Sequence, residues 1–171
     1  MKSEIKQISD TRLKRLRQQG FTNYTDRQLE QMAFGIRFPY RLCVAVIVTA
    51  IVTGSIPLFA IMLGIAVSGI FLPNHPFDYI YNGVLSKWMR RPKLPPRANQ
   101  LKFACTIASV FLAATVYLMV TGATTAGLIL AGILAGVAVL PSTIDLCVPS
   151  IIYNALFGRK AGRSSTETVN I

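Results

Sequence analysis

Two long stretches of this 171-residue chain carry no Lys, Arg, Asp or Glu: one between Arg41 and Asp78, the other between Lys102 and Asp145. Acidic residues are scarce throughout, 7 against 18 basic ones, and there is a single His. Only three Cys occur and no Cys-x-x-Cys pair, which leaves no legible disulfide framework or zinc ribbon. No nucleic-acid-binding motif accompanies the net charge of +11, so nucleic acid is not expected as a partner. No cleavable signal peptide is expected either. The first apolar run starts near Phe38, after a long polar lead, and no small-residue cleavage site follows it.

What is present is apolar length. The hydrophobic fraction of 52% and mean hydropathy of +0.47 suit a small polytopic membrane protein. A helix needs roughly 20 apolar residues to cross the hydrocarbon core. Each uncharged stretch is too long for one crossing and fits two. The fold expected is therefore all-α: four transmembrane helices in two repeated hairpins, each followed by a short interfacial helix. The basic residues lie before the first hairpin, between the two and after the second, all on one side. The positive-inside rule makes that side the cytoplasm, with both termini there.

The chain then divides into five segments. Residues 1–37 read as a cytoplasmic basic amphipathic segment of two short helices. Ser9, Asp10 or Thr11 can cap the first and Gly20 ends it, with Leu13 and Leu16 on one face. Thr25 begins the second, and Gln28 completes a capping box. The basic face either lies on anionic headgroups or is solvated. Residues 38–89 form hairpin one and its interfacial helix. Its first helix ends at Thr53, Gly54, Ser55 and Pro57 make the turn, and Pro73 stops its second helix after Leu72. Phe77, Tyr79, Tyr81 and Trp88 then suit an aromatic belt. Residues 90–100 are a Pro- and Arg-rich linker, a semi-rigid strap. Residues 101–158 form hairpin two and its interfacial helix. Its first helix ends at Gly122, Thr124 or Thr125 caps its second, and that helix stops at Pro141. Residues 159–171 are a flexible tail.

An internal repeat supports this division. Val52-Thr53-Gly54 recurs as Val120-Thr121-Gly122, Leu72-Pro73 as Leu140-Pro141, and Ile80-Tyr81-Asn82 as Ile152-Tyr153-Asn154. Arg37-Phe38 answers Lys102-Phe103. Two units of one orientation imply a pseudo-twofold axis along the membrane normal. Gly64 and Ser68 correspond to Gly132 and Gly136. Small residues permit close helix approach. The four are therefore expected to pack the second helices of the two hairpins against each other. On the last helix Gly127, Ala131 and Ala135 make one small face, with Gly132 and Gly136 on an adjoining one, and the second small face could instead serve a partner.

The membrane interior is chemically quiet. It holds no ionisable midplane residue of the kind that coupled transporters use. Thr49, Ser68, Thr106, Ser109 and Thr115 are expected to bond back to their own helix carbonyls. Cys43, His75, Cys105 and Cys147 all fall toward the cytoplasmic ends of their segments. Thiolate and imidazole together suit zinc or a redox thiol site, and ordinary packing is the competing reading. Whether a metal binds is open, and no cofactor is expected. Asp78 and Asp145 are interfacial polar residues. Asp145 closes a Ser142-Thr143-Ile144-Asp145 capping box or serves as a functional carboxylate, and Asp78 can cap after His75.

Asn99-Gln100-Leu101-Lys102-Phe103-Ala104, leading into the third helix, and Asp145 through Tyr153, with Cys147 and Pro149, carry a resemblance. Together they resemble the bacterial membrane proteins of domain-of-unknown-function family four-three-nine-five, over roughly Arg37 to Gly158. The resemblance implies a bacterial inner membrane and four helices, the last commonly followed by Cys-x-x-Cys and a Tyr. Cys147 matches the first family Cys, while Ser150 stands in place of the second. That puts a dithiol role in doubt for this chain. The family brings no assigned activity, and its company with thioredoxin-like and sulfurtransferase proteins hints at sulfur chemistry.

The expected function is a non-catalytic accessory or scaffold subunit. Its partners would be the bilayer, anionic headgroups, and other membrane subunits or further copies of itself. The alternative is a thiol- or sulfur-handling protein using Cys147. A passive pore would require oligomerisation. The topology makes a direct prediction. Gly54 and Gly122 face outward, and Arg91 and Arg163 face the cytoplasm. Cysteines introduced at Ser55 and Thr124 will react with an impermeant maleimide on intact cells. Labelling at position 91 would reverse the orientation.

Overall fold

The computed structural model describes residues 9–158. The expected tail, 159–171 with Arg163, lies outside the described residues, as do residues 1–8. The described elements are helices and their connections. In chain order they are α1 (Asp10–Gln18), α2 (Asp26–Thr53), α3 (Ile56–Phe71) and α4 (Pro76–Ile80), then a π-helical turn (Tyr81–Leu85). They continue with α5 (Ser86–Trp88), α6 (Asn99–Val120), α7 (Thr124–Thr143) and α8 (Val148–Phe157).

Three of these, α2, α6 and α7, are long and apolar enough to cross a membrane. A fourth span exists if α3 and the segment after it count together, although they meet at a bend of 83°. At 1.5 Å per residue the 16 residues of α3 reach about 24 Å, slightly short of the hydrocarbon core. Val52, Ile61, Val110, Tyr117, Val120 and Ile129 are exposed on these helices. Helices that are apolar outside as well as inside belong in a bilayer. The protein is a multi-pass membrane protein.

Local signals explain most boundaries. Thr25 caps α2 through Gln28 N–H, and the Gln28 side chain returns to Thr25 N–H at 2.9 Å. Gly54 and Gly122, at φ 62° and 88°, turn the chain between spans where a side chain would strain the backbone. Pro73 follows the end of α3 as expected. Other expectations fail. The break near residue 37 does not occur, because α2 runs unbroken through Pro39. α7 likewise continues through Pro141 to Thr143. Proline costs one hydrogen bond, and packing neighbours in a bundle stabilise the helix despite it. α1 and α7 begin without side-chain caps, at Ser9 and Ala123.

The helices pair as α3 on α6 and α2 on α7, with α6 also against α7. Their shared core holds Ile47, Phe59, Met62, Leu112, Ala131 and Leu134. This corrects the expected packing of α3 on α7 through small residues. An added Cβ at Gly64, Gly132 or Gly136 would meet nothing within 4 Å. Those three glycines face outward, and Ser68 is half-buried with its hydroxyl on Ile65 O. The small residues used inside are Ala131, Ala135, Gly127 and Gly69. A Cβ at Gly127 would lie 2.8 Å from the Met119 side chain and 3.2 Å from Thr115 O. Helical periodicity located both small faces. Only the packing shows which one points in.

A second core closes the charged end. Leu13, Leu16, Phe21, Leu29, Met32, Ile36, Tyr81 and Leu94 form it. The apolar face of α1 is thus covered by protein and meets neither headgroups nor water. Tyr81 is fully buried, outside the aromatic belt expected for it, whereas Trp88 is 83% exposed. Gly35 lets Tyr81 in, since a Cβ there would sit 2.6 Å from its ring.

Two aromatic contacts have matching partners: Phe38 with Tyr81 at 5.9 Å and Phe103 with Tyr153 at 5.6 Å. Each following Asn holds a distant backbone. Asn82 bonds both N–H and C=O of Leu94, and Asn154 donates to Gln18 O.

The two glycine faces differ in a measurable way. Gly127→Leu will destabilise the purified protein by about 1–3 kcal/mol through overpacking. Gly132→Leu will be tolerated. Thermal unfolding in mild detergent measures both, and equal sensitivity would contradict the packing described.

Candidate functional site

Asp145 is the hub of the charged end. Its side chain is fully buried. Arg37 of α2 grips it with two nitrogens, Nε lying 2.6 Å from Oδ1, and Arg12 of α1 adds Nε to Oδ2 at 2.7 Å. Around it Gln19 donates to Asp145 O, Arg15 to Ile144 O and Arg41 to Ser142 O. Cationic donors on the last carbonyls of α7 also favour its dipole. Asp145 is not part of a capping box. Ser142 and Thr143 lie inside α7 and bond back to Val139 O, while Asp145 itself sits at φ 58°. Cys147 occupies the N-cap of α8 and makes no side-chain cap bond.

Asp78 plays the matching role after α3. Its Oδ2 accepts from His75 N–H at 2.9 Å, so it does close the capping box of α4. It also binds Arg97 through two nitrogens, at 2.6 and 3.0 Å, with both side chains buried. Burial disfavours the Arg97 charge, but Asp78 more than offsets this and holds the guanidinium above its ordinary pKa. The linker is tied further by Arg97 N–H on Pro73 O at 2.7 Å.

Above this pair lies a cavity of about 110 Å³. α2 contributes Tyr40, Cys43 and Ile47, α3 Met62 and Ala66, α6 Cys105, Ala108 and Leu112, and α7 Leu134, Val137 and Ala138. His75, Arg97 and Cys147 complete the wall at the charged end. The structure therefore brings Cys43, His75, Cys105 and Cys147 to one place, as their common depth in the sequence suggested. It does not make a metal centre of them. Among the described residues no three His, Cys, Asp or Glu side chains converge closely enough to hold an ion.

All three cysteines are free thiols. Cys105 and Cys147 are buried, at 6% and 4% exposure. Arg97 Nη1 points at Cys105 Sγ, 3.8 Å away. The His75 ring accepts Phe77 N–H on Nδ1, which leaves its proton on Nε2. Burial first, then the Arg97 charge, push the His75 pKa down to about 4, against the pull of Asp78. The imidazole is neutral near pH 7.

Of the span hydroxyls, Thr49, Ser68, Thr106 and Ser109 bond their own helix carbonyls as expected. Thr115 is the exception, buried without a partner. Ser150 is likewise buried and unpartnered. Sequence reasoning missed Arg97, Arg12 and Arg37 as partners of the two carboxylates, and Tyr40 as a wall of the cavity. The excess of basic over acidic residues carried no hint of which few are buried.

Over residues 34–157 the chain matches the family described as a domain of unknown function (DUF4395), and it belongs to that family. No curated protein and no solved structure matches it.

The depressed His75 pKa sets a pH dependence. An unfolded chain takes up this proton near pH 6.5, and the folded one only near pH 4. The unfolded state therefore binds more protons in that window. The stability due to neutral His75 is complete above about pH 6.5 and is lost as pH falls toward 4, by a few kcal/mol. His75→Asn keeps a capping acceptor, Oδ1 in place of Nδ1, and removes the titration. Relative to this variant the native protein should lose stability as pH falls from 6.5 toward 4, and the difference between the two curves in detergent should be constant above 6.5. A flat difference would contradict the burial of a neutral imidazole.

Proposed function

We propose that this DUF4395 member is a non-catalytic, multi-pass accessory or scaffold subunit of the bacterial inner membrane, with both termini in the cytoplasm. One observation carries the reading. Gly64, Gly132 and Gly136 present flat small-residue faces to the outside, while the inner faces of the same helices are already packed. Lipid gives no hydrophobic reason for helices to associate, so an outward small face suits the close approach of another helix. The partner is another membrane subunit or a second copy of this chain.

Further features fit this placement. The ionic clamps, the Arg-rich α1 and the linker share one end, which positive-inside logic assigns to the cytoplasm. Exposed Tyr79, Ile80, Val84 and Trp88, next to exposed Lys87, Arg90, Arg91 and Lys93, suit an interfacial segment against anionic headgroups. The repeated-hairpin reading, with pseudo-twofold related units, is supported by the pairings α3 on α6 and α2 on α7, and by the two Phe–Tyr contacts.

A second reading, thiol or sulfur handling through Cys147, is favoured by the gathering of three thiols and His75 at one cavity. Burial of Cys105 and Cys147 weighs against it, since little of either thiol is open to a reactant.

A photo-crosslinker at position 132 in native membranes is expected to capture one discrete polypeptide or a second copy. Gly132→Leu will abolish that association while leaving the purified protein folded. Capture of lipid alone, with Gly132→Leu fully functional in cells, would sink the accessory reading. Loss of function in Cys147→Ser without loss of folding would move the assignment to the thiol reading.

A further inference from the structure

The cavity has an unused hydrogen-bond donor. Tyr40 Oη is buried and has no partner. Tyr40 lines the cavity together with Cys147, Arg97 and Cys105. Buried polar groups are almost always satisfied, and an orphan calls for an explanation. Arg97 and one nitrogen of His75 are already engaged. Arg97 is spent on Asp78 and Cys105 Sγ, and stacks over the Tyr40 ring at 5.9 Å. His75 Nδ1 is used by Phe77 N–H.

The remaining wall defines a guest. Its one buried cation is balanced by Asp78, so there is no net field to hold an ion. An ion would also have to shed its water into a wall of Ile, Leu, Val and Ala side chains. A guest is therefore neutral. Its size follows from the volume. An engineered apolar cavity of about 150 Å³ takes benzene, so about 110 Å³ admits a single small ring or less. The sulfurs of Cys43, Cys105, Cys147 and Met62 give the wall a polarizable character.

We propose that this cavity is a binding site for a small, neutral, apolar carbonyl compound, held by a hydrogen bond from Tyr40 Oη to the carbonyl oxygen. The site is separate from the docking faces on the outside of the bundle, and it requires no bond to any thiol.

The full chain in lipid nanodiscs, with cyclobutanone as probe, tests this. Methyl methanethiolsulfonate is small and neutral and reports access to the cavity thiols by intact mass. Cyclobutanone is expected to slow labelling saturably. Methylenecyclobutane, with the same shape and no acceptor oxygen, will protect less well. Tyr40→Phe will raise the half-protecting cyclobutanone concentration about five-fold, the worth of one neutral hydrogen bond, and leave methylenecyclobutane unaffected. A second readout does not depend on labelling. The infrared carbonyl band of bound cyclobutanone should show a saturable component at lower frequency in the native protein and not in Tyr40→Phe. Slowing that is unsaturable and equal for both solutes is a bilayer effect and overturns the proposal. So does a shifted band that persists in Tyr40→Phe, or no shifted band at all.

Discussion

Two buried carboxylates organise the charged end of this bundle. Asp145 is held by Arg37 and Arg12, and Asp78 by Arg97. Through these contacts α1 is fastened to the end of α7, and the linker is fastened to the turn after α3. Buried ion pairs contribute less to net stability than their geometry suggests, because both charges lose water. Their effect is on specificity. An unpaired buried charge is so costly that few other arrangements of these segments are open to the chain. The cavity, the π-helical turn and the second core all sit behind these two clamps.

Toward the other end the logic changes from charge to shape. Four helices meet through Ile47, Phe59, Leu112, Ala131 and Leu134, with hydroxyls turned back on their own helices. No water is available there to satisfy a stray polar group. Against that background Thr115 and Tyr40, buried without partners, stand out. For Tyr40 the adjoining cavity supplies a reason. For Thr115 the structure offers none.

The small residues show why outward and inward faces must be separated before a role is assigned. Gly127 and Gly69 are small because a neighbour occupies the space a side chain would need. Gly64, Gly132 and Gly136 have no such neighbour among the described residues. A helical wheel draws both groups alike. The first group is explained by this protein's own packing, and the second is not.

The sequence by itself determined the membrane class, the all-α fold and the turns at Gly54 and Gly122, because bilayer thickness and backbone hydrogen bonding leave so few solutions for long uncharged stretches. It also located the Thr25 and Asp78 capping boxes, which depend on neighbours three residues apart. Family membership was legible in local motifs around Lys102 and Cys147. Only the tertiary structure decided that α2 runs unbroken through Pro39, that α1 is buried by protein, and that α3 packs on α6. It alone chose three arginines from a strongly basic chain to meet two carboxylates. The gathering of Cys43, His75, Cys105 and Cys147 was suggested by their depth, but their failure to form a metal set was not. Such outcomes turn on distances between residues far apart in the chain, and local periodicity carries no information about those.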